Sequence, residues 1–299
     1  MKSISGVLLL DKPVGFSSND ALQIVKKLFK ASKAGHTGSL DPNASGMLPI
    51  CFGEATKFSQ FLLNADKRYL VTGKLGETTA SGDAESEVLT KRSVNGISVK
   101  ICERILSQFM GKILQTPPMY SAVKYQGQPL YKLARLGIEV ERSPREVNIY
   151  KLQLLKLVDN LITLEIFCSK GTYIRTLVAD IGEIIGCGAH VVSLRRLAVG
   201  PYQEDAMITL NELKKLIIHD GYFQESSKLL PIESMLDGMS EVVLTDDMIH
   251  YAFLGQKVLV VNAPESGLVQ LKNKDGKFVG VGEVILCGKI SPRKMIRIS

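Results

Sequence analysis

The sequence predicts an α+β chain in two parts: a large mixed portion, then a small β-barrel-like domain at the C-terminal end. Three observations carry this. Helical spacing of apolar residues recurs at 17–32, 99–110 and 172–184, interleaved with strand-like runs rather than alternating strictly with them. Two such runs, 147–157 and 161–168, flank the turn signal Asp159-Asn160 and read as an antiparallel pair. Beyond about residue 238 the texture changes to short β-prone runs separated by turns such as Asn273-Lys274-Asp275-Gly276.

In chain order, the apolar run 7–10 predicts a buried strand ended by the turn cluster Asp11-Lys12-Pro13-Val14-Gly15. Ser17 or Ser18 then caps a helix whose inner positions are Ala21, Leu22, Val25, Leu28 and Phe29. Lys26, Lys27 and Lys30 fall on its other face, with Lys33 just beyond. Residues 34–49 show neither a helical nor an alternating period, and a connection of that length is uncommon inside a compact domain and often functional. A helix at 56–64, a strand at 68–75, a polar loop at 76–87 and a helix at 99–110 follow. Residues 172–184 carry Ile174, Leu177, Val178 and Ile181 at helical spacing, and 190–199 form a strand with Arg195 and Arg196. The C-terminal part has a short helix at 245–254 and strands at 242–244, 258–261, 268–271, 278–281, 284–286 and 295–298.

The chain has 299 residues, 37 Lys plus Arg against 30 Asp plus Glu, and a net charge of +7, an excess that favours a polyanionic partner. Its five cysteines are irregularly spaced with no Cys-x-x-Cys pair, which supports neither a zinc site nor a disulfide framework. The four apolar residues at 7–10 are too few for a signal-peptide core or a membrane span, so a cytoplasmic protein is expected.

Three segments are candidates for chemistry. In Gly35-His36-Thr37-Gly38-Ser39-Leu40-Asp41-Pro42, a carboxylate in a backbone-rich turn can be held ionised and aimed at a substrate, although Asp-Pro and glycine clusters also simply make turns. His36 has no Cys, Ser or His partner at metal or triad spacing. In Cys168-Ser169-Lys170-Gly171-Thr172-Tyr173-Ile174-Arg175 a strand ends, a glycine turns the chain and a helix begins. Arg175 flanks that helix's apolar stripe and needs a carboxylate if buried, for which Asp41 is a candidate. Residues 116–145 mix Tyr120, Tyr125 and Tyr131 with Lys124, Lys132, Arg135, Arg142 and Arg145 among four prolines, a composition suited to stacking bases and pairing phosphates. With the Lys26–Lys33 face and Arg195-Arg196, this favours RNA as the partner.

The loop around Asp41, continued by Ala44-Ser45-Gly46-Met47-Leu48-Pro49, closely resembles the catalytic loop of the bacterial tRNA pseudouridine-55 synthase (TruB) family. The resemblance runs almost end to end, through Leu10-Asp11-Lys12-Pro13 with Ser17-Ser18-Asn19, Lys67-Arg68-Tyr69, Pro118-Met119-Tyr120-Ser121-Ala122-Val123-Lys124, Gly127-Gln128-Pro129-Leu130-Tyr131, the 168–175 block and Leu194-Arg195-Arg196. One departure is Ser86, where a glycine is expected.

The resemblance implies a pseudouridine synthase fold with a mixed, mainly antiparallel sheet over 1–237. It also implies an RNA-clamping insertion at about 117–145 and a PUA-type RNA-binding domain over 238–299. It implies a substrate, uridine-55 in the T-loop of tRNA, isomerised without cofactor or metal by a monomer that needs no protein partner. Asp41 would be the nucleophile or base, Arg175 its ion-pair partner, and Tyr69 a stacking residue that assists proton removal. Leu194 and Tyr173 would line the base pocket, His36 would contact the T-loop where the flipped base leaves its stack, and Lys12 would support the site. Two other readings stand beside this one: a guide-RNA-dependent relative, disfavoured by the absence of a long Lys-rich tail, and a non-catalytic RNA-binding or RNA-folding protein.

Overall fold

The computed structural model describes residues 4–220 and 228–297. One large sheet organises the first of these. Its strands are β1 (Gly6–Lys12), β2 (Ala34–His36), β3 (Ala44–Phe52) and β4 (Lys67–Leu75). After a small hairpin, β5 (Glu77–Thr79) and β6 (Val88–Lys91), come β7 (Gly111–Gln115), a second hairpin of β8 (Lys124–Tyr125) and β9 (Gln128–Pro129), and then β10 (Arg145–Val158), β11 (Leu161–Cys168), β12 (Ala189–Val199) and β13 (Ile208–Thr209). The sheet order is β13-β1-β3-β12-β4-β11-β10-β7, with β2 beside β3. Only β1/β13 and β3/β12 run parallel, so the sheet is mixed and mainly antiparallel.

Helices cover one face in two groups. α1 (Ser18–Leu28) starts at a capping box between Ser17 and Asp20 and buries Ala21, Leu22 and Val25. With α6 (Leu210–Asp220) it closes a core containing Leu8, Leu10, Leu48 and Ile50. α3 (Val99–Leu106) and α5 (Ile174–Ile185) close a second core around Val71, Leu164, Ile166, Leu177 and Val178. α5 ends at Gly186, whose φ of 98° is the left-handed turn that a glycine C-cap supplies. Tyr69 and Leu194 pack against both cores and so mark the seam between them. The short helices α2 (Ser59–Asn64) and α4 (Leu130–Arg135) complete this part.

The C-terminal strands β14 (Glu241–Val243), β15 (Val258–Leu259), β16 (Gly267–Lys272), β17 (Phe278–Val284) and β18 (Lys289–Met295) form a curled five-stranded half-barrel, ordered β14-β16-β17-β18-β15. With α7 (Asp246–Phe253) they enclose Leu244, Ile249, Val269, Leu271, Val279 and Ile290. This unit docks on the other face of the large sheet: Phe278 meets Phe58 edge-on at 5.4 Å, beside Val7, Leu9 and Val199.

Several boundaries differ from the sequence reading. Residues 34–36 and 44–52 are strands, so the loop expected over 34–49 shrinks to 37–43. β3 is buried along nearly its whole length because cores lie on both faces, and a strand covered on both sides has no alternating period to read. The 56–64 helix is preceded by a 3-10 turn, Gly53–Phe58. The polar loop 76–87 contributes β5. The run 278–281 extends to Val284 as one strand, β17, and the strand expected at 284–286 does not form: Leu286–Gly288 is a 3-10 turn. The last strand is Lys289–Met295 rather than 295–298; Pro292 and the cations around it disguised it, and Ile298 lies outside the described residues.

Candidate active site

The 37–43 loop is pinned from several sides. Thr37 N donates to Pro49 O at 3.0 Å and Ala44 N to Asp41 O at 3.0 Å. The buried Ser18 hydroxyl donates to Leu40 O at 2.9 Å and accepts from Leu40 N at 2.7 Å. On the other side of Asp41, Pro42 O accepts from Gly15 N at 2.9 Å and Lys12 Nζ at 3.3 Å. The turn and capping residues after β1 thus hold the residues before and after Asp41.

Asp41 itself projects into a cleft with its side chain 44% exposed, and Arg175 Nε lies 3.0 Å from its Oδ2. Arg175 is the second residue of α5 and is buried. Its Nη1 reaches Asp83 Oδ2 at 3.3 Å and Ser81 O at 2.8 Å, and its Nη2 donates to Tyr120 O at 2.6 Å. One guanidinium therefore joins the Asp41 loop, the 79–86 loop and the insertion. Partial withdrawal from water pushes the Asp41 carboxyl above its ordinary value; Arg175 opposes this most, Asp83 adds to it and Lys12 opposes it.

The opposite wall comes from β4 and β12. Tyr69 and Arg196 are directly paired across these strands, so their side chains share one face. Burial raises the pKa of the Tyr69 phenol and keeps it protonated, and the neighbouring Arg196 charge opposes this. Arg196 is 1% exposed; its Nε donates to Met47 O at 2.7 Å and its Nη2 to Gly38 O at 2.9 Å. Gly46, at φ 98°, permits this approach, because a Cβ there would lie 2.3 Å from Arg196 O. Lys67 is buried beside them, its Nζ held by the carbonyls of Leu62, Leu63 and Ala65 at 3.1, 2.9 and 2.5 Å. The cleft between the walls has a volume of about 330 Å³ and is lined by Asp41, Tyr69, Tyr173, Arg175, Leu194 and Arg196.

Of the residues singled out from sequence, Asp41, Tyr69, Tyr173, Arg175 and Leu194 thus share one cleft. Tyr173 is fixed by Gln115, which accepts from its N–H at 2.7 Å and donates to its carbonyl at 3.0 Å. Lys12 lies beneath the loop, donating to the carbonyls of Pro13, Phe16 and Pro42. His36 sits at the end of β2, outside that lining, with Nδ1 buried and unpartnered; burial, then Arg196, lowers its pKa and favours the neutral ring. The insertion brings Tyr120 against Arg175 and places Ser121 and Ala122 on the rim, while Tyr125, Leu136 and Ile138 are exposed.

One expectation is corrected. Arg195 and Arg196 do not form a free basic surface: Arg195 pairs with Asp11 at 2.9 and 2.8 Å, and Arg196 is buried. The apolar neighbours Leu194 and Leu197 were the available signal, since a charge inside such a run can turn inward. Asp83 and the clamping role of Ser18 were missed, and the aperiodic stretch around Asp83 carries no pattern that would reveal it.

Solved structures share this fold. A chain of a Cbf5-Nop10-Gar1 complex superposes with a TM-score of 0.75 at 26% identity, over 97% of this chain and 84% of that one. A chain of an H/ACA RNP bound to a substrate RNA containing 2'-deoxyuridine gives a TM-score of 0.74 at 23% identity, over 98% and 85%. The fold is that of the pseudouridine synthases. Family models narrow this: "TruB family pseudouridylate synthase (N terminal domain)" matches residues 26–174, "tRNA pseudouridylate synthase B C-terminal domain" matches 175–237, and "Pseudouridine synthase II TruB, C-terminal" matches 240–296. The tRNA pseudouridine synthase B of Coxiella burnetii (strain Dugway 5J108-111) is 54% identical over 99% of this chain and 96% of its own length. That of Stutzerimonas stutzeri is 51% identical over 99% and 97%. The chain belongs to the TruB family of pseudouridylate synthases, and is an isomerase of that class.

Proposed function

We propose that this chain converts uridine-55 in the T-loop of tRNA to pseudouridine, unaided by a guide RNA or a protein partner, with Asp41 as nucleophile or base. The observation that carries the reading is the Asp41–Arg175 contact at 3.0 Å, on the floor of a cleft walled by Tyr69 and Leu194. The relatives named tRNA pseudouridine synthase B support tRNA as substrate.

In this reading the target base leaves its stack at a cost of a few kcal/mol and enters the cleft, with His36 at the T-loop where the base departs. Leu194 packs against the base and Tyr173 lines its pocket. The C1′–N1 bond breaks and its electron pair goes to N1. The base rotates, C5 bonds to C1′, the C5 proton leaves and N1 takes up a proton, so the sum is an isomerisation. Arg175 keeps Asp41 ionised and aimed. Tyr69 stacks on the base and assists removal of the C5 proton. Residues 1–237 form the catalytic unit, residues 117–145 clamp the RNA, and residues 238–299 add a PUA-like RNA-binding module.

The test is to incubate purified protein with unmodified tRNA alone and map pseudouridine by mass spectrometry. One modified nucleoside, at position 55, is expected. Product that forms only when a guide RNA or partner protein is added contradicts the stand-alone reading, and binding without product favours an RNA-folding role.

A further inference from the structure

Three cations lie buried around the cleft without a carboxylate partner among the described residues. Lys12 and Arg196 are 0% and 1% exposed and Lys67 is 6% exposed. Backbone carbonyls hold all three: Pro13, Phe16 and Pro42 for Lys12, Leu62, Leu63 and Ala65 for Lys67, and Met47 and Gly38 for Arg196. Asp41 and Asp66 act on Lys12 and Lys67 only from beyond direct contact, and a buried cation whose direct partners are all neutral dipoles is costly, because its charge is desolvated without a counter-charge in contact. Such an arrangement becomes favourable when an anion forms nearby, and preorganised charge aimed at that place then lowers the barrier.

Arg196 is the best placed of the three. It lines the cleft with Asp41 and Leu194, is paired with Tyr69 across β4 and β12, and fastens Gly38 of the Asp41 loop to β3 through Met47. The proposed reaction supplies an anion by either opening step. Addition of Asp41 to C6 moves the C5=C6 electron pair into an enolate reaching O4. Departure of C1′ leaves the C1′–N1 pair on the ring as uracil anion. Both place negative charge on the base, which this reading seats against Tyr69.

We propose that Arg196 is a positioning residue that also stabilises the negative charge developing on the uracil ring, acting across the cleft wall and through Tyr69. This rests on the uridine-isomerase reading above. A residue serving only as internal scaffold would not distinguish the ground state from the charged state of the base.

The experiment measures single-turnover rates and tRNA dissociation constants for wild type, Arg196→Gln and Arg196→Lys, with thermal unfolding as the fold control. Arg196→Gln is expected to slow the single-turnover step by about 10²-fold, in the range seen when one such donor is removed, with the dissociation constant little changed. Arg196→Lys keeps the charge but loses the planar fork, so its loss is expected nearer 10-fold. Equal slowing by both variants, or an effect confined to binding, overturns the proposal. If the glutamine variant does not fold, Arg196→Lys is compared with wild type on RNA carrying uridine or 2-thiouridine at the target. The thio ring carries an anion more easily, so the variant's loss should be smaller there, and an equal loss on both overturns the proposal. Wild type that makes no pseudouridine defeats the underlying reading as well, whereas active wild type with a wild-type-like glutamine variant defeats only this inference.

Discussion

The two arginines that wall the cleft are both buried, yet their surroundings are opposite. Arg175 faces two carboxylates, Asp41 and Asp83, whereas Arg196 faces carbonyls and a phenol. The first is an internal ion network whose charge is already compensated, so its effect is local: it sets the aim and protonation of Asp41. The second keeps its field for whatever enters the cleft. One residue type thus serves two functions, and the difference lies in what the neighbouring loops supply, not in the arginines themselves.

The largest way to break this contrast is to neutralise the compensated side. Arg175→Gln leaves Asp83, buried with it, without a counter-charge, and removing one partner of a buried pair costs about 3–5 kcal/mol. A marked fall in Tm is expected together with near-complete loss of turnover, while Arg175→Lys should recover stability before activity. Unchanged Tm in Arg175→Gln would show that the network is not under strain from its charges.

Titration sharpens the uncompensated side. Desolvation brings Lys12 and Lys67 down from 10.5 to about 8; Asp41 partly restores Lys12, and Arg196 lowers both further. Above about pH 8 the cleft loses positive charge, so the single-turnover rate should decline there. Stability moves the other way. The unfolded lysines hold their protons up to 10.5, so between about pH 8 and that value the folded state binds fewer protons and gains stability as pH rises. The Tm of wild type minus that of Lys67→Gln, taken with its sign, should therefore rise from pH 7 to about 9.5. A difference that falls contradicts the assignment.

Asp83→Asn is a smaller change. Asp83 contributes to the raised Asp41 pKa, so its neutralisation lets Asp41 ionise at lower pH and moves the acid limb of the rate profile downward. A limb that moves upward would mean Asp83 acts mainly by holding Arg175 in place. The smallest effect is expected from Ser18→Ala, which removes both hydrogen bonds to Leu40 and costs about 1–3 kcal/mol for the buried backbone groups left unmet. A several-fold lower rate at unchanged tRNA affinity should accompany it, and Ser18→Thr should restore part of the rate.

Much of this was legible in the sequence because period and burial coincide in α1, α5, β4 and β11, where one face is wet and the other dry. β3 was hidden because both its faces are dry, and β18 because Pro292 and its charged neighbours read as loop. Asp41, Tyr69 and Arg175 were found through the motifs around them. Their convergence depends on strand order, which places Tyr69 opposite Arg196 and brings β12 beside β3. Arg196 read as a surface charge because a buried cation held by carbonyls leaves no partner residue to recognise in the chain.

The most direct test of the account is pseudouridine formation by wild type and Asp41→Asn on the same unmodified tRNA, with tRNA binding measured in parallel. The account predicts equal binding and a rate lower by on the order of 10⁴-fold or more in the variant, the scale of removing an essential nucleophile or base. Turnover by Asp41→Asn at the wild-type rate would contradict it.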